Sequence, residues 1–378
     1  MTGSRADDAV RHALALRCLP GIGTRGWHAA VDAHGTPGAA LQALALGDAR
    51  DDALARADTI LDRCATLGAH VLVHRPPHDD AAAAPAHAQA RDADADATYP
   101  HLLHDLAGDA PPVLYALGDL RLLARPAVAL VGTRHATPPG LRAAHRLARA
   151  AARAGAVVVS GLARGIDAAA HDGALDAGTG TTIAVLGTGI DVPYPADHRT
   201  LHDRIAREGL VLSELPPGRR ATRGSFPERN RIVAALARVT VVVEAGDGSG
   251  ALITAAAASD LGRDVAAVPG AFEAASCRAS NRLLRDGAAV IADEADLLVL
   301  LGLHRAAADA TRHERASPPA QLDDAERALW HALDAGPLAL DELVHRAGRP
   351  AATALAALTT LELRGLVRTT ALGALERA

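Results

Sequence analysis

The chain has 378 residues and 38.6 kDa, room for two or three domains, and its 49% hydrophobic content supports a large core. All 39 basic residues are arginine, which excludes a lysine-dependent phosphate loop, a Schiff-base enzyme and any lysine nucleophile. The net charge of -5 excludes a globally basic nucleic-acid binder, so any such activity rests on a local patch.

The opening residues, MTGSRADDAVRH, lack the apolar stretch of a signal peptide. No run approaches the ~18 apolar residues of a membrane span. Cys18, Cys64 and Cys277 lie too far apart for metal spacing. A cytoplasmic protein without membrane, metal or cofactor is expected. Residues 1–74 read as a small helical domain. Within it, Leu16-Arg17-Cys18-Leu19-Pro20-Gly21-Ile22-Gly23-Thr24-Arg25 fits a helix-hairpin-helix, whose turn N–H groups can meet a nucleic-acid phosphate without reading sequence. A plain helical turn capped by glycine fits the same residues. Residues 75–98 are Ala, Asp and Pro without apolar periodicity and read as a linker.

From 99 to 302, short apolar runs alternate with helical spacing. The runs are 127–131, 156–159, 182–186, 210–212, 239–243, 265–268 and 288–291. Continuous apolar strands alternating with helices predict a Rossmann-like, doubly wound α/β domain with a mostly parallel sheet. Ligands bind such sheets beyond the strands' carboxyl ends. Gly, Ser, Thr, Arg and Asn collect there in this sequence.

Five turns follow these strands. Val131-Gly132-Thr133-Arg134-His135 offers a hydroxyl and a forked cation for a phosphate, or is an ordinary turn with a surface arginine. Ser160-Gly161-Leu162-Ala163-Arg164-Gly165-Ile166-Asp167 is a glycine-rich helix start, where free N–H groups make an anion site; Asp167 would cap that start. Gly187-Thr188-Gly189 opens like a dinucleotide fingerprint but lacks the third glycine. Residues 217–231, PGRRATRGSFPERNR, carry five Arg against one Glu, a local +4. Phe226 there either anchors the loop or stacks on a base. The helix is expected from Glu228. Glu244 to Thr254 is another glycine-rich turn into a helix.

No nucleophile-and-base set emerges. Ser160 is not in a nucleophile elbow, because Val158 stands where glycine is required. His101 and His104 read as a surface pair rather than metal ligands, and His171 either faces the site or lies on the helix surface. Residues 303–320 read as a second linker. Residues 321–378 read as three helices and a hairpin, the order of a winged helix. Its third helix, AATALAALTTLELRG, offers only Arg364 to base edges, which favours packing or protein contact.

Taken together, V-G-T-R, S-G-L-A-R-G-I-D, F-P-x-R-N-R-I, V-V-E-A and S-G-A-L-I-T, in this order, resemble the DNA-processing protein A family, also called Smf. The resemblance covers the middle domain from Tyr99 to Leu298 nearly end to end. It implies a cytoplasmic, non-enzymatic, homodimeric protein that binds single-stranded DNA and loads the RecA recombinase on incoming DNA in natural transformation. Carried over motif by motif, the DNA groove falls on Arg134, Ser160, Gly161, Arg164, Gly165, Asn230, Arg231 and Gly250. With only 2% aromatics, phosphate contacts are expected to dominate over stacking. Two other readings stand beside it. One is a nucleoside-monophosphate phosphoribohydrolase-like enzyme using Glu244 as acid or base, although the P-G-G-x-G-T-x-x-E turn of such enzymes is absent. The other is a structural partner-binding protein with solvated rim arginines.

Overall fold

The computed structural model describes residues 3–75, 99–222, 224–303, 322–333, 338–370 and 374–377. The two expected linkers lie almost entirely outside the described residues. The chain forms two units, Met1–Leu303 and His304–Ala378.

The first unit opens with four helices, α1 (Gly3–Cys18), α2 (Thr24–His34), α3 (Pro37–Leu44) and α4 (Asp48–Leu67). Two strands follow, β1 (His70–Val73) and β2 (Val113–Gly118). The core then alternates as β3 (Ala127–Gly132), α5 (Pro138–Arg153), β4 (Val157–Ser160), α6 (Ile166–Leu175), β5 (Thr182–Leu186), α7 (Arg199–Glu208) and β6 (Leu210–Ser213). It continues as α8 (Ser225–Ala235), β7 (Val239–Glu244), α9 (Ala251–Asp260), β8 (Asp264–Ala267), α10 (Arg278–Arg285), β9 (Ala289–Val290) and α11 (Glu294–Leu300).

The nine strands form one sheet in the order β1-β2-β6-β5-β4-β3-β7-β8-β9. Every pair from β6 to β9 is parallel, while β1–β2 and β2–β6 are antiparallel. The chain therefore winds outward one way from β3 through β4 and β5, then returns to add β7 on the other side. That reversal is the topological switch point. Side chains alternate across the sheet as a strand requires. Ala127, Ala129 and Val131 pack with Ile232 and Ala255 on one face. Val128 and Leu130 pack with Ala144, Leu147 and Ala170 on the other.

The seven anticipated core strands are all present, each within a residue or so at its ends. β1 and β2 were not anticipated, because short antiparallel edge pairing depends on tertiary neighbours rather than on the run itself. Through β1, the head helices join the sheet: Trp27 and Leu41 share a core with Tyr115, Ala184 and Val211. Helix α8 starts at Ser225, three residues before the expected Glu228. Pro227 is tolerated there because N–H groups in a first turn have no intrahelical partner.

Two histidines are held neutral inside this unit. His171 is fully buried, with Nδ1 2.8 Å from Thr182 Oγ1, and burial followed by the Arg229 charge pushes it down to about 3. His74 shares a 3.0 Å hydrogen bond with His104 and stacks edge-on to His28; burial and these two rings lower it to about 4. The unfolded chain takes up these protons near pH 6.5, the folded chain only well below. Stability therefore falls as pH drops below about 6.5, by up to about 1 kcal/mol per pH unit from the fully buried His171. We expect thermal unfolding to show this slope between pH 6.5 and 4. His171→Asn, which cannot take the proton, should reduce the slope and leave the share of His74; an unchanged slope in that variant would refute the assignment.

The second unit has helices α12 (Asp324–Ala332), α13 (Leu340–Ala347) and α14 (Ala351–Leu363), then strands β10 (Val367–Thr369) and β11 (Leu375–Arg377) paired antiparallel. Asp323 and Glu326 form a capping box at the start of α12. Leu329, Trp330, Leu343 and Leu361 make the core. Helix α14 exposes Leu355 and Leu363 beside Thr353, Thr359, Thr360 and Glu362.

Candidate nucleic-acid interface

Beyond the carboxyl ends of β3, β4 and β7, at the switch point, lies a hollow of about 490 Å³. Gly132, Thr133 and Arg134 enter it from β3, Gly161 from β4, and Gly246 to Gly250 from β7. Asn230 closes one side and donates to the Gly250 carbonyl at 3.3 Å, tying α8 to the glycine turn.

Beneath this hollow the Arg229 guanidinium is buried. It donates to the Gly161 carbonyl at 2.7 Å and to the Val185 carbonyl. Burial lowers its pKa to about 10, a shift opposed by the Asp167 charge, so it remains a cation at neutral pH. Asp167 accepts from the Gly161 N–H at 3.1 Å and the Ala163 N–H at 3.3 Å. Burial raises its pKa, against the pull of Arg229. Two of the N–H groups expected to form an anion nest here, those of Gly161 and Ala163, are thus taken by Asp167, whose carboxylate folds back over the turn that precedes it. Arg229 adds its charge from α8.

Arg134 lines three neighbouring hollows at once. Its guanidinium sits 5.6 Å from the centre of the Phe226 ring. Phe226 in turn packs on Tyr194, centroids 4.9 Å apart, and Tyr194 is 47% exposed. A Cβ at Gly187 would stand 2.9 Å from Phe226, so this glycine makes room for the ring rather than for a dinucleotide. Arg164 lines, with Arg134, Tyr194 and Phe226, a neighbouring hollow, and pairs with Asp197 at 2.7 Å, both side chains largely exposed. Such an exposed pair contributes at most ~1 kcal/mol, so a phosphate can displace Asp197. Gly165 is in the left-handed region at φ 79°, and a Cβ there would meet the Thr133 carbonyl at 2.3 Å; only glycine lets α6 start this close to the β3 turn.

The structure thus gathers Arg134, Gly161, Arg164, Gly165, Asn230 and Gly250 on one rim. It places two candidates elsewhere. Ser160 is fully buried and donates to the Leu130 carbonyl at 2.7 Å. Arg231 points away on α8, pairing with Glu214 at 2.8 Å and donating to the Asp109 carbonyl. About half a turn of helix separates inward Arg229 from outward Arg231, and a linear motif does not say which is which. Arg229 and Tyr194 were missed. Alternation along α8 placed Arg229 no more inward than Arg231, and Tyr194 reaches the rim only through the turn after β5. Glu244 accepts from Thr137 N–H and Oγ1, the latter at 2.8 Å, which commits its carboxylate to the start of α5. In the hairpin of the head, Arg25 pairs with Asp109 at 2.7 Å.

The chain thus carries a Rossmann-like sheet with arginines at its switch point, and its second unit has the element order of a winged helix. Residues 93–302 match the family model described as DNA recombination-mediator protein A, and residues 313–371 match the DprA winged helix domain. The chain belongs to the DNA-processing protein A (DprA/Smf) family. A putative DNA processing protein DprA of Mycobacterium tuberculosis is 46% identical over 266 residues, 68% of this chain and 67% of that protein. The DNA processing protein DprA of Streptococcus pneumoniae is 42% identical over 203 residues, 54% and 71% of the two chains. The X-ray structure of the Streptococcus pneumoniae protein covers 75% of this chain and 95% of its own, at 30% identity and TM-score 0.60. A Helicobacter pylori DNA processing protein A structure, which describes a single-stranded DNA binding mode, covers 54% of this chain and 92% of its own at 34% identity and TM-score 0.50. No helix among the described residues is long and apolar enough to cross a membrane.

Proposed function

We propose that this chain binds single-stranded DNA through its phosphates, along the rim from Arg164 past Arg134 to the Asn230–Gly250 junction. The observation that carries this is the convergence of Arg134, Gly161, Asn230 and Gly250 around one hollow above the buried Arg229 cation. Arginine forks hold successive phosphates without reading bases. Phe226 and Tyr194 add a two-ring platform, so stacking contributes more than the aromatic content suggested. In this reading the protein is a cytoplasmic homodimer that loads the RecA recombinase on incoming DNA during natural transformation, and catalyses no reaction. The single-strand binding mode of the Helicobacter pylori relative and the recombination-mediator description of the family support it.

Fluorescence anisotropy with a labelled oligothymidine and a matching duplex tests the binding. The single strand should be preferred, with log affinity falling by ~0.7 per phosphate contact per log unit of salt. No binding to either form at low salt would overturn the proposal and send attention to nucleotide hydrolysis. RecA loading is tested as faster RecA filament growth on the bound strand; unchanged growth refutes that part alone.

A further inference from the structure

Arg134 and His135 also line a second hollow, of about 670 Å³, that runs away from the first between α5 and α6. Arg142, His145 and Arg146 form its α5 wall over a floor that includes Ala168 and Ala169.

The sequence of α5 explains this wall. Arg142, Arg146, Arg149 and Arg153 recur at i, i+4, i+7 and i+11, one stripe of a helix whose opposite side buries Ala144, Leu147, Ala148 and Ala151. Like charges four residues apart destabilise a helix by a few tenths of a kcal/mol unless an anion lies between them. Arg146 pairs with Glu294 at 2.7 Å, and His145 with Asp176 at 3.1 Å. Arg142 is exposed and makes no ion pair among the described residues. The one carboxylate lining the hollow, Asp172, has its pKa raised by burial and by Asp176.

We propose that this groove is a second single-strand subsite, receiving the nucleotides that leave the first hollow past Arg134. It rests on the single-strand reading above. Continuity decides the occupant: one arginine lines both hollows, so a single extended polyanion can pass from one into the other. The alanine floor suits the flat face of a base, and Arg142 and Arg146, one helical turn apart on its wall, suit successive phosphates of the strand. A separate acidic peptide would satisfy the charge but not the continuity.

The test uses the full chain with oligothymidines of about 4 and about 16 nucleotides, the span of known single-strand site sizes. Arg142→Ala should leave the short oligonucleotide's affinity within about twofold of the unaltered protein. It should weaken the long one about fivefold and lower its salt slope by ~0.7, the contribution of one phosphate. Arg142→Glu should weaken the long one further, and both variants should keep the unaltered melting temperature. Equal loss at both lengths would mean that Arg142 acts only through the general field, and overturns the subsite. So would unchanged binding at both lengths; if that came with salt-sensitive binding of polyglutamate at Arg142, the groove would belong to an acidic protein segment. Failure of the unaltered protein to bind either length would sink the single-strand reading itself, a distinct result.

Discussion

Replacing Arg134 and Arg164 together by alanine should lower single-stranded DNA affinity by about 100-fold while leaving the melting temperature unchanged. Each guanidinium offers a charge-assisted fork to phosphate, and such bonds contribute about 1.5–3 kcal/mol apiece. Arg134 should carry the larger share. It lines all three rim hollows and among the described residues has only the Phe226 ring as partner, whereas Arg164 must first leave Asp197. Both side chains are outside the core, so the fold should not notice their loss. Anisotropy titrations of the two single variants and the double variant, at two salt concentrations, read this directly. The double variant should flatten the salt slope by ~1.4, two single-strand phosphate contacts. Affinity within about threefold of the unaltered protein would refute the rim as the DNA path. Ser160→Ala and Arg231→Ala provide the contrast, since both side chains are engaged elsewhere. Either of them weakening DNA binding as strongly as Arg134→Ala would also count against the rim.

The sheet was legible because its strands are buried on both faces, and runs such as Val239–Val243 admit no other placement. The winged helix was legible for the complementary reason: three short amphipathic segments with turn residues between them leave few packing choices. The rim was legible only in outline. Gly132, Gly165 and Gly250 mark turns in any reading, so the strand-end positions of Arg134 and Gly161 followed. What the residues alone did not give was direction. In F-P-E-R-N-R-I, Arg229 turns inward beneath the hollow, Asn230 faces the glycine turn and Arg231 faces Glu214, three fates for three neighbours. Helix periodicity fixes their relative angles, but the absolute angle depends on Ile232 and Val233 packing against the sheet. The same ignorance of tertiary neighbours hid Asp167's occupation of the turn N–H groups and the joining of the head helices to the sheet through β1.

The largest stability effect should come from Arg229→Ala, a loss of about 3–5 kcal/mol. Arg229 is buried, and its guanidinium bonds two carbonyls at the ends of neighbouring strands, Gly161 after β4 and Val185 in β5. Removing it leaves both acceptors unsatisfied in the interior and Asp167 without its compensating cation. For a unit of this size the melting temperature should drop by about 10 °C. Arg229→Lys should recover only part of the loss, because a single ammonium cannot fork to both carbonyls. Arg229→Met combined with Asp167→Asn should cost less than the sum of the two single changes, since the double variant buries no unpaired charge. Denaturant melts of the unaltered chain, the two single variants, the double variant and Arg229→Ala decide the matter; additive costs, or a loss under about 1 kcal/mol for Arg229→Ala, would show that the two charges are not coupled. The same cation underlies the rim hollow, so Arg229→Lys should bind single strands nearly as well as the unaltered chain while unfolding earlier. That separation of affinity from stability would show that the charge at this position, rather than the detailed fork, is what the DNA meets.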